Sequence, residues 1–159
     1  MRTLGIDPGT GRMGWAILDR EKGKESLMAY GCFETRKHNP LPETLGLIYE
    51  EIERLVKKYK PDEAAVEDLF FATNAKTAMA VGQARGAVLV ALTNNKIPVY
   101  SYTPLQIKSG VTGYGQADKQ QVQKMVKVIL KLKEVPKPDD AADAVAVALT
   151  HGALGRMVG

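Results

Sequence analysis

Residues 5–14 read GIDPGTGRMG, and this stretch governs the reading of everything around it. A short apolar strand over 3–6 runs into one carboxylate, Asp7, and a proline and three glycines then turn the chain into a second strand over 13–18. DPGTGR is thus a hairpin-type connection rich in turn residues. An acid at the lip of a buried strand is costly to desolvate. It is there either as turn chemistry or as the first ligand of a metal site, and the hairpin alone supports both readings.

Working outward, a third strand is expected at about 26–35. Leu27, Ala29, Gly31 and Phe33 alternate with Met28, Tyr30 and Cys32, so both faces are fairly apolar, as in a covered central strand. Leu45, Ile48, Ile52, Leu55, Val56 and Tyr59 predict a helix at about 43–60, opened near Pro42 and closed by Pro61. EAAVE at 63–67 reads as a strand that ends on a second acid, Glu67. The next residues, DLFFATN, form a loop carrying Phe70 and Phe71, either a buried apolar pair or rings exposed beside the acid. A small-residue helix follows at about 74–94, then a strand at 97–102 and a glycine-punctuated loop, KSGVTGYGQADK, that contains Lys108 and ends at Lys119. Val122, Met125, Val126, Ile129 and Leu130 mark one more helix, and after PKP the last helix opens on DDAADAVAVAL. The order predicts a mixed α/β domain over 1–159 whose five-stranded sheet starts antiparallel and finishes parallel, with helices on both faces.

The 159 residues carry a net charge of +4. Residues 96–137 contain eight lysines against Asp118 and Glu134, a local excess of +6 that leaves −2 for the remainder. Such a segment suits a polyanionic partner, although a solvated lysine face would have the same composition. Cys32 is the single cysteine and cannot form an intramolecular disulfide. No stretch is apolar for long enough to span a bilayer, and no signal-type N-terminus is evident, so the expectation is a cytoplasmic protein with no membrane partner.

The acids form a constellation. Asp7 and Glu67 close strands, and Asp140 and Asp143, three apart, share a face in the first turns of a helix. Helix-terminal aspartates are also favoured by the helix dipole, and spacing leaves open which of Asp139 and Asp140 faces the strand ends. Carboxylates that converge without histidine or cysteine select Mg²⁺ or Mn²⁺, and two such ions suit phosphodiester hydrolysis.

GIDPGTGRMGWA, AAVED followed by LFFATNA, GQARGAVLVA and DAADAVAVALTH together resemble the RuvC family across essentially the whole chain. These are bacterial Holliday-junction resolvases of the ribonuclease H-like fold. The resemblance implies a Mg²⁺-dependent homodimeric endonuclease, with Mn²⁺ as a possible substitute and two ions per site. It would place paired symmetric nicks in four-way DNA junctions, leave 5′-phosphate and 3′-hydroxyl ends, and work with the RuvA–RuvB branch-migration complex in recombination and repair. It carries the catalytic, metal-holding acids onto Asp7, Glu67, Asp140 and Asp143, with Asp139 left as a helix cap, and Lys119 onto the scissile phosphate. Lys108 and Lys119 match basic residues near the DNA, and Phe70 matches an aromatic that enters the junction. Arg85, within QARG, is a phosphate contact or an intrahelical partner, and the 74–94 helix is a candidate for dimer contacts.

A ribonuclease H-like nuclease acting on RNA would use the same acids, and a non-cleaving junction binder would not need them. An actin-like phosphotransferase, suggested by DPGTG, requires two such domains.

Overall fold

The computed structural model describes residues 1–68 and 74–155. Its sheet runs β3–β2–β1–β4–β5, with β1 Arg2–Asp7, β2 Arg12–Glu21, β3 Lys24–Glu34, β4 Glu63–Glu67 and β5 Val99–Tyr102. β1 and β2 pair antiparallel in the register Asp7↔Gly14, whereas β1–β4 and β4–β5 are parallel. The expected change from antiparallel to parallel therefore falls at β1. All strand ends that carry Asp7, Arg12, Glu34 and Glu67 consequently lie at one pole of the sheet.

Each face is covered. α1 (Leu41–Tyr59) and α2 (Ala75–Asn94) pack on Leu4, Ile6, Met13, Trp15, Ile17 and Val66. α3 (Pro104–Thr112), α4 (Lys119–Ile129) and α5 (Asp139–Leu154) cover Ala16, Leu18, Ala65 and Tyr102 on the other. α1 buries Ile48, Ile52 and Leu55 at helical spacing and ends on Lys60, whose left-handed φ of 50° returns its N–H to the Val56 carbonyl. α5 is alanine-rich for a steric reason. A Cβ at Gly5 would overlap the Ala144 carbonyl, and one at Gly14 would overlap the Asp140 carbonyl. The two glycines let the helix backbone lie directly on β1 and β2.

Three expectations are corrected. β3 is an edge strand, not a central one, and Met28 and Tyr30 are 54% and 42% exposed. Its apolar alternation misled because only Leu27, Ala29 and Phe33 pack on the core clusters, each as a partly buried residue, while Met28 and Tyr30 stay open. Lys108 lies on α3, in a segment read as loop, so three helices follow β5. Thr103 and Gln106 form a reciprocal capping box with Pro104 at the helix start, and only Gly113, at φ 77°, stops the helix. Gly110 sits inside α3 because a Cβ there would press on the Thr150 side chain of α5. Finally, Asp139 makes no cap hydrogen bond, since α5 starts from Pro138 with no side-chain cap.

Candidate active site

The hairpin turn and the end of β4 bring Asp7 and Glu67 side by side, and α5 drops Asp143 beside them. The three acids line one cleft of about 320 Å³ with Lys108, Lys119, Pro104, Ile107, Val122 and Ala146. β1, β4 and α5 hold the acids, α3 and α4 the two lysines. Asp140 stands at the edge of this group. Its carboxylate is 3.7 Å from the Arg12 guanidinium, and Arg12 also reaches Glu34 at 3.4 Å.

Electrostatically the cluster is overloaded. Burial pushes the Asp7 carboxyl up to about 9, and the neighbouring Glu67, Asp143 and Asp140 charges add to the shift. Asp7 and Glu67 share a carboxyl–carboxyl hydrogen bond, which favours the proton on Asp7 and works against it on Glu67. Burial still leaves Glu67 raised, with the Asp143 charge acting in the same direction. It raises Asp143 too, against the opposing pull of Lys119. For Lys119 burial opposes the charge, but Asp143 at 3.5 Å and Asp139 at 3.4 Å outweigh it and hold the ammonium above its usual pKa.

This donor set fits a hard divalent cation. The acids brought together in the cleft are partly buried carboxylates, and burial and mutual repulsion raise the pKa of Asp7, Glu67 and Asp143, a cost that a bound cation would relieve. Among the described residues, no three acidic, imidazole or thiol groups stand in ligating geometry as found. Two of the acids are instead joined through a shared proton, and Asp143 is held by Lys119.

Asp7, Glu67, Asp143, Lys108 and Lys119 thus converge, and Asp140 adjoins them. Asp139, expected as a cap, instead accepts from the Gln123 amide at 3.2 Å and contacts Lys119. Arg85 has no intrahelical partner among the described residues. It donates to the Glu67 carbonyl at 3.2 Å and to the Ser101 hydroxyl at 2.6 Å, and contacts Asp68 at 3.5 Å. Phe70 and Phe71 lie outside the described residues. Sequence reasoning missed Arg12 and Gly14. The signal for Arg12 was a cation closing the turn that Asp7 opens, and for Gly14 a glycine in mid-strand, which marks close backbone approach.

Residues 3–151 match the family described as crossover junction endodeoxyribonuclease RuvC. The RuvC of Finegoldia magna is 52% identical over 151 residues, covering 95% of this chain and 92% of the relative. Thermus thermophilus RuvC superposes with a TM-score of 0.91 at 39% identity, over 99% of this chain and 97% of that one. T. thermophilus RuvC in complex with Holliday junction substrate gives 0.89 at 37% identity, over 99% and 96%.

Proposed function

Because the chain belongs to the RuvC family of crossover junction endodeoxyribonucleases, we propose that it resolves four-way DNA junctions by paired phosphodiester cleavage at the Asp7 cluster. The observation that carries this is the meeting of Asp7, Glu67 and Asp143 in one cleft with Lys108 and Lys119. The resolvase of T. thermophilus, with the same fold over nearly its whole length, takes a Holliday junction as substrate.

The family's nucleases depend on a divalent metal, and our reading is Mg²⁺, or Mn²⁺ in its place, at two positions. When bound, the ions activate water and stabilise the leaving oxygen. Asp7, Glu67 and Asp143, with the outer Asp140, are the residues that would hold the metal. Lys119, oriented by Asp143 and Asp139, is poised to neutralise charge building on the phosphate. Lys108 lies on the same wall and binds the incoming backbone. Pro104, Ile107, Val122 and Ala146 make one side of the cleft apolar, which strengthens every charge interaction within it. Arg85 is assigned to holding the end of β4, and hence Glu67, in place. Phe70 would enter the junction from the segment between Asp68 and α2.

Two symmetric nicks require two sites, so the working form is a homodimer, with α2 as the candidate contact. The RuvA–RuvB motor is the expected partner, and the cytoplasm the expected compartment. No helix among the described residues is long and apolar enough to cross a membrane. The test is incubation with a synthetic four-way junction, with and without Mg²⁺, read on a denaturing gel. Paired symmetric cuts that require the metal support the reading, and stronger cleavage of an RNA–DNA hybrid would replace it with an RNA-processing activity.

A further inference from the structure

The lysines of α3 and α4 provide cations on only one side of the acids. The opposite side is built by residues that the overall charge tally hides. Sheet order places β2 and β3 next to β1, on the side away from β4 and β5. At that pole the β1–β2 turn and the β3–α1 connection enclose a recess of about 480 Å³, backed by Leu41 and Thr44 of α1 and Ala80 of α2.

Its lining includes Arg12, Arg36, Lys37 and His38 against one carboxylate, Glu34, which Arg12 already engages. Arg36, Lys37 and His38 are exposed, and among the described residues none of them has an acid within ion-pair distance. The recess has a defined wall. Thr35 donates its hydroxyl to the Thr10 carbonyl at 2.5 Å and its N–H to the Gly11 carbonyl at 3.1 Å, which ties the two loops together. A turn closed by the Asn39 N–H on the Arg36 carbonyl at 3.3 Å, with His38 at φ 70°, projects the three basic side chains from that wall. Arg12 then spans the gap to the acids through its contact with Asp140.

Solvated loop cations are common, but they do not ordinarily line one concave surface that abuts a carboxylate cluster. A DNA strand laid over the acids must be drawn against their negative charge, so cations on both sides of the cut would hold it where one side alone lets it pivot. We propose that this recess is a second phosphate-binding flank, which holds the sugar–phosphate backbone of the junction on the side of the acids opposite Lys108 and Lys119. The inference rests on the junction-cleaving reading of the Asp7 site and extends it to the strand beyond the cut.

The test compares the Arg36→Gln/Lys37→Gln/His38→Gln variant with wild type for junction binding across 50–300 mM salt, in Ca²⁺ to suppress cutting. Loss of one or two phosphate contacts should flatten the slope of log K against log salt by about 0.9–1.8 and weaken binding about tenfold or more at 150 mM. Single-turnover cleavage at saturating enzyme should fall by less than the affinity does, because none of the three residues contacts the acids. Phosphate-ethylation interference should lose, in the variant, protected positions on one side of the cut only. A salt slope equal to that of wild type overturns the second flank, as does loss of protection on both sides. Should the triple variant unfold, Arg36→Gln/Lys37→Gln carries the same comparison. Wild-type protein that fails to cut the junction in Mg²⁺ would instead overturn the underlying reading, so the two failures are distinguishable.

Discussion

β1, β4 and α5 each contribute to two polar clusters, one at either end of the sheet, and the two are built on opposite principles. At the far end Glu63, 8% exposed, accepts from the Thr3 hydroxyl at 3.1 Å and lies 2.8 Å from His151 Nε2. His151 Nδ1 meets the Tyr102 hydroxyl at 2.6 Å, so the Nε2–H tautomer satisfies the whole chain of groups. The Tyr100 ring covers the imidazole at 4.5 Å. The same elements deliver Asp7, Glu67 and Asp143 to the near end without enough donors to balance them. A buried polar group whose partners are all supplied adds specificity to a core; a set of carboxylates left competing for protons is a site waiting for a cation.

The largest expected effect comes from removing charge at the unbalanced end. Asp7→Asn or Glu67→Gln should lower junction cleavage by about 10²–10³-fold or more while junction binding is retained. Single-turnover rates and gel-shift titration read the two quantities separately. A variant that nicks at more than about a tenth of the wild-type rate would show that these acids do not hold the reacting centre.

The balanced end should respond in stability instead. His151→Ala leaves Glu63 buried with the Thr3 hydroxyl as its remaining side-chain donor, a loss of about 2–3 kcal/mol by chemical denaturation. Cleavage of the folded fraction should stay within about twofold, since His151 lies three turns along α5 from Asp140. Comparable loss of turnover without loss of stability would mean that the two ends are coupled through α5 and do not act separately.

Legibility in the sequence follows the same division. Asp7 and Glu67 were readable because a strand that ends on an acid before a turn leaves a local mark. The choice between Asp139 and Asp140 was not, because spacing cannot tell which side of a helix start faces a strand end. α3 was lost to its glycines: one of them is there for contact with Thr150, not for flexibility, and only tertiary packing reveals that. β3 passed for a central strand because its outer face carries Met28 and Tyr30, which composition reads as core. Arg12 and the basic turn at 36–38 were averaged into a stretch of net −2, since a charge tally follows the chain and DNA follows the surface. The Glu63–His151 network spans 88 residues of sequence and offers no local pattern at all.

The lysines test the boundary of the unbalanced end. Lys119 touches two aspartates at 3.4 and 3.5 Å, whereas Lys108 lines the cleft without an ion pair among the described residues. Lys119→Ala should slow single-turnover cleavage at saturating enzyme about tenfold, or ~1.4 kcal/mol of barrier. Lys108→Ala should leave that rate within about twofold and reduce the salt slope of binding by about 0.9. Wild-type rates for Lys119→Ala would withdraw its role at the phosphate and make both lysines binding contacts.

The smallest effect separates the two ends by sign. Asp19 lies across the hairpin from Arg2, at the balanced end, with Arg2 Nε and Nη2 at 2.7 and 2.8 Å from its two oxygens. That hydrogen bonding holds the Asp19 carboxyl below its ordinary pKa, partly opposed by burial. A lowered acid contributes stability that is present above the unfolded value of about 3.9 and is lost as pH falls through the folded value. Asp7, on the same hairpin, is raised to about 9 chiefly by burial. Its contribution is present below the unfolded value and is lost as pH rises through about 9. Asp19→Asn should therefore cost about 0.5–1 kcal/mol at pH 7, the pair being about one-third exposed, and almost nothing at pH 3. In chelator, Asp7→Asn should stabilise the protein at pH 8 and flatten the decline of its melting temperature between pH 5 and 9. Melting curves of both variants and wild type at pH 3, 5, 7 and 9 decide the matter. If Asp7→Asn lowers the melting temperature at pH 8 in the absence of metal, the near-end carboxylates are mutually satisfied after all, and the contrast between the two ends of the sheet collapses.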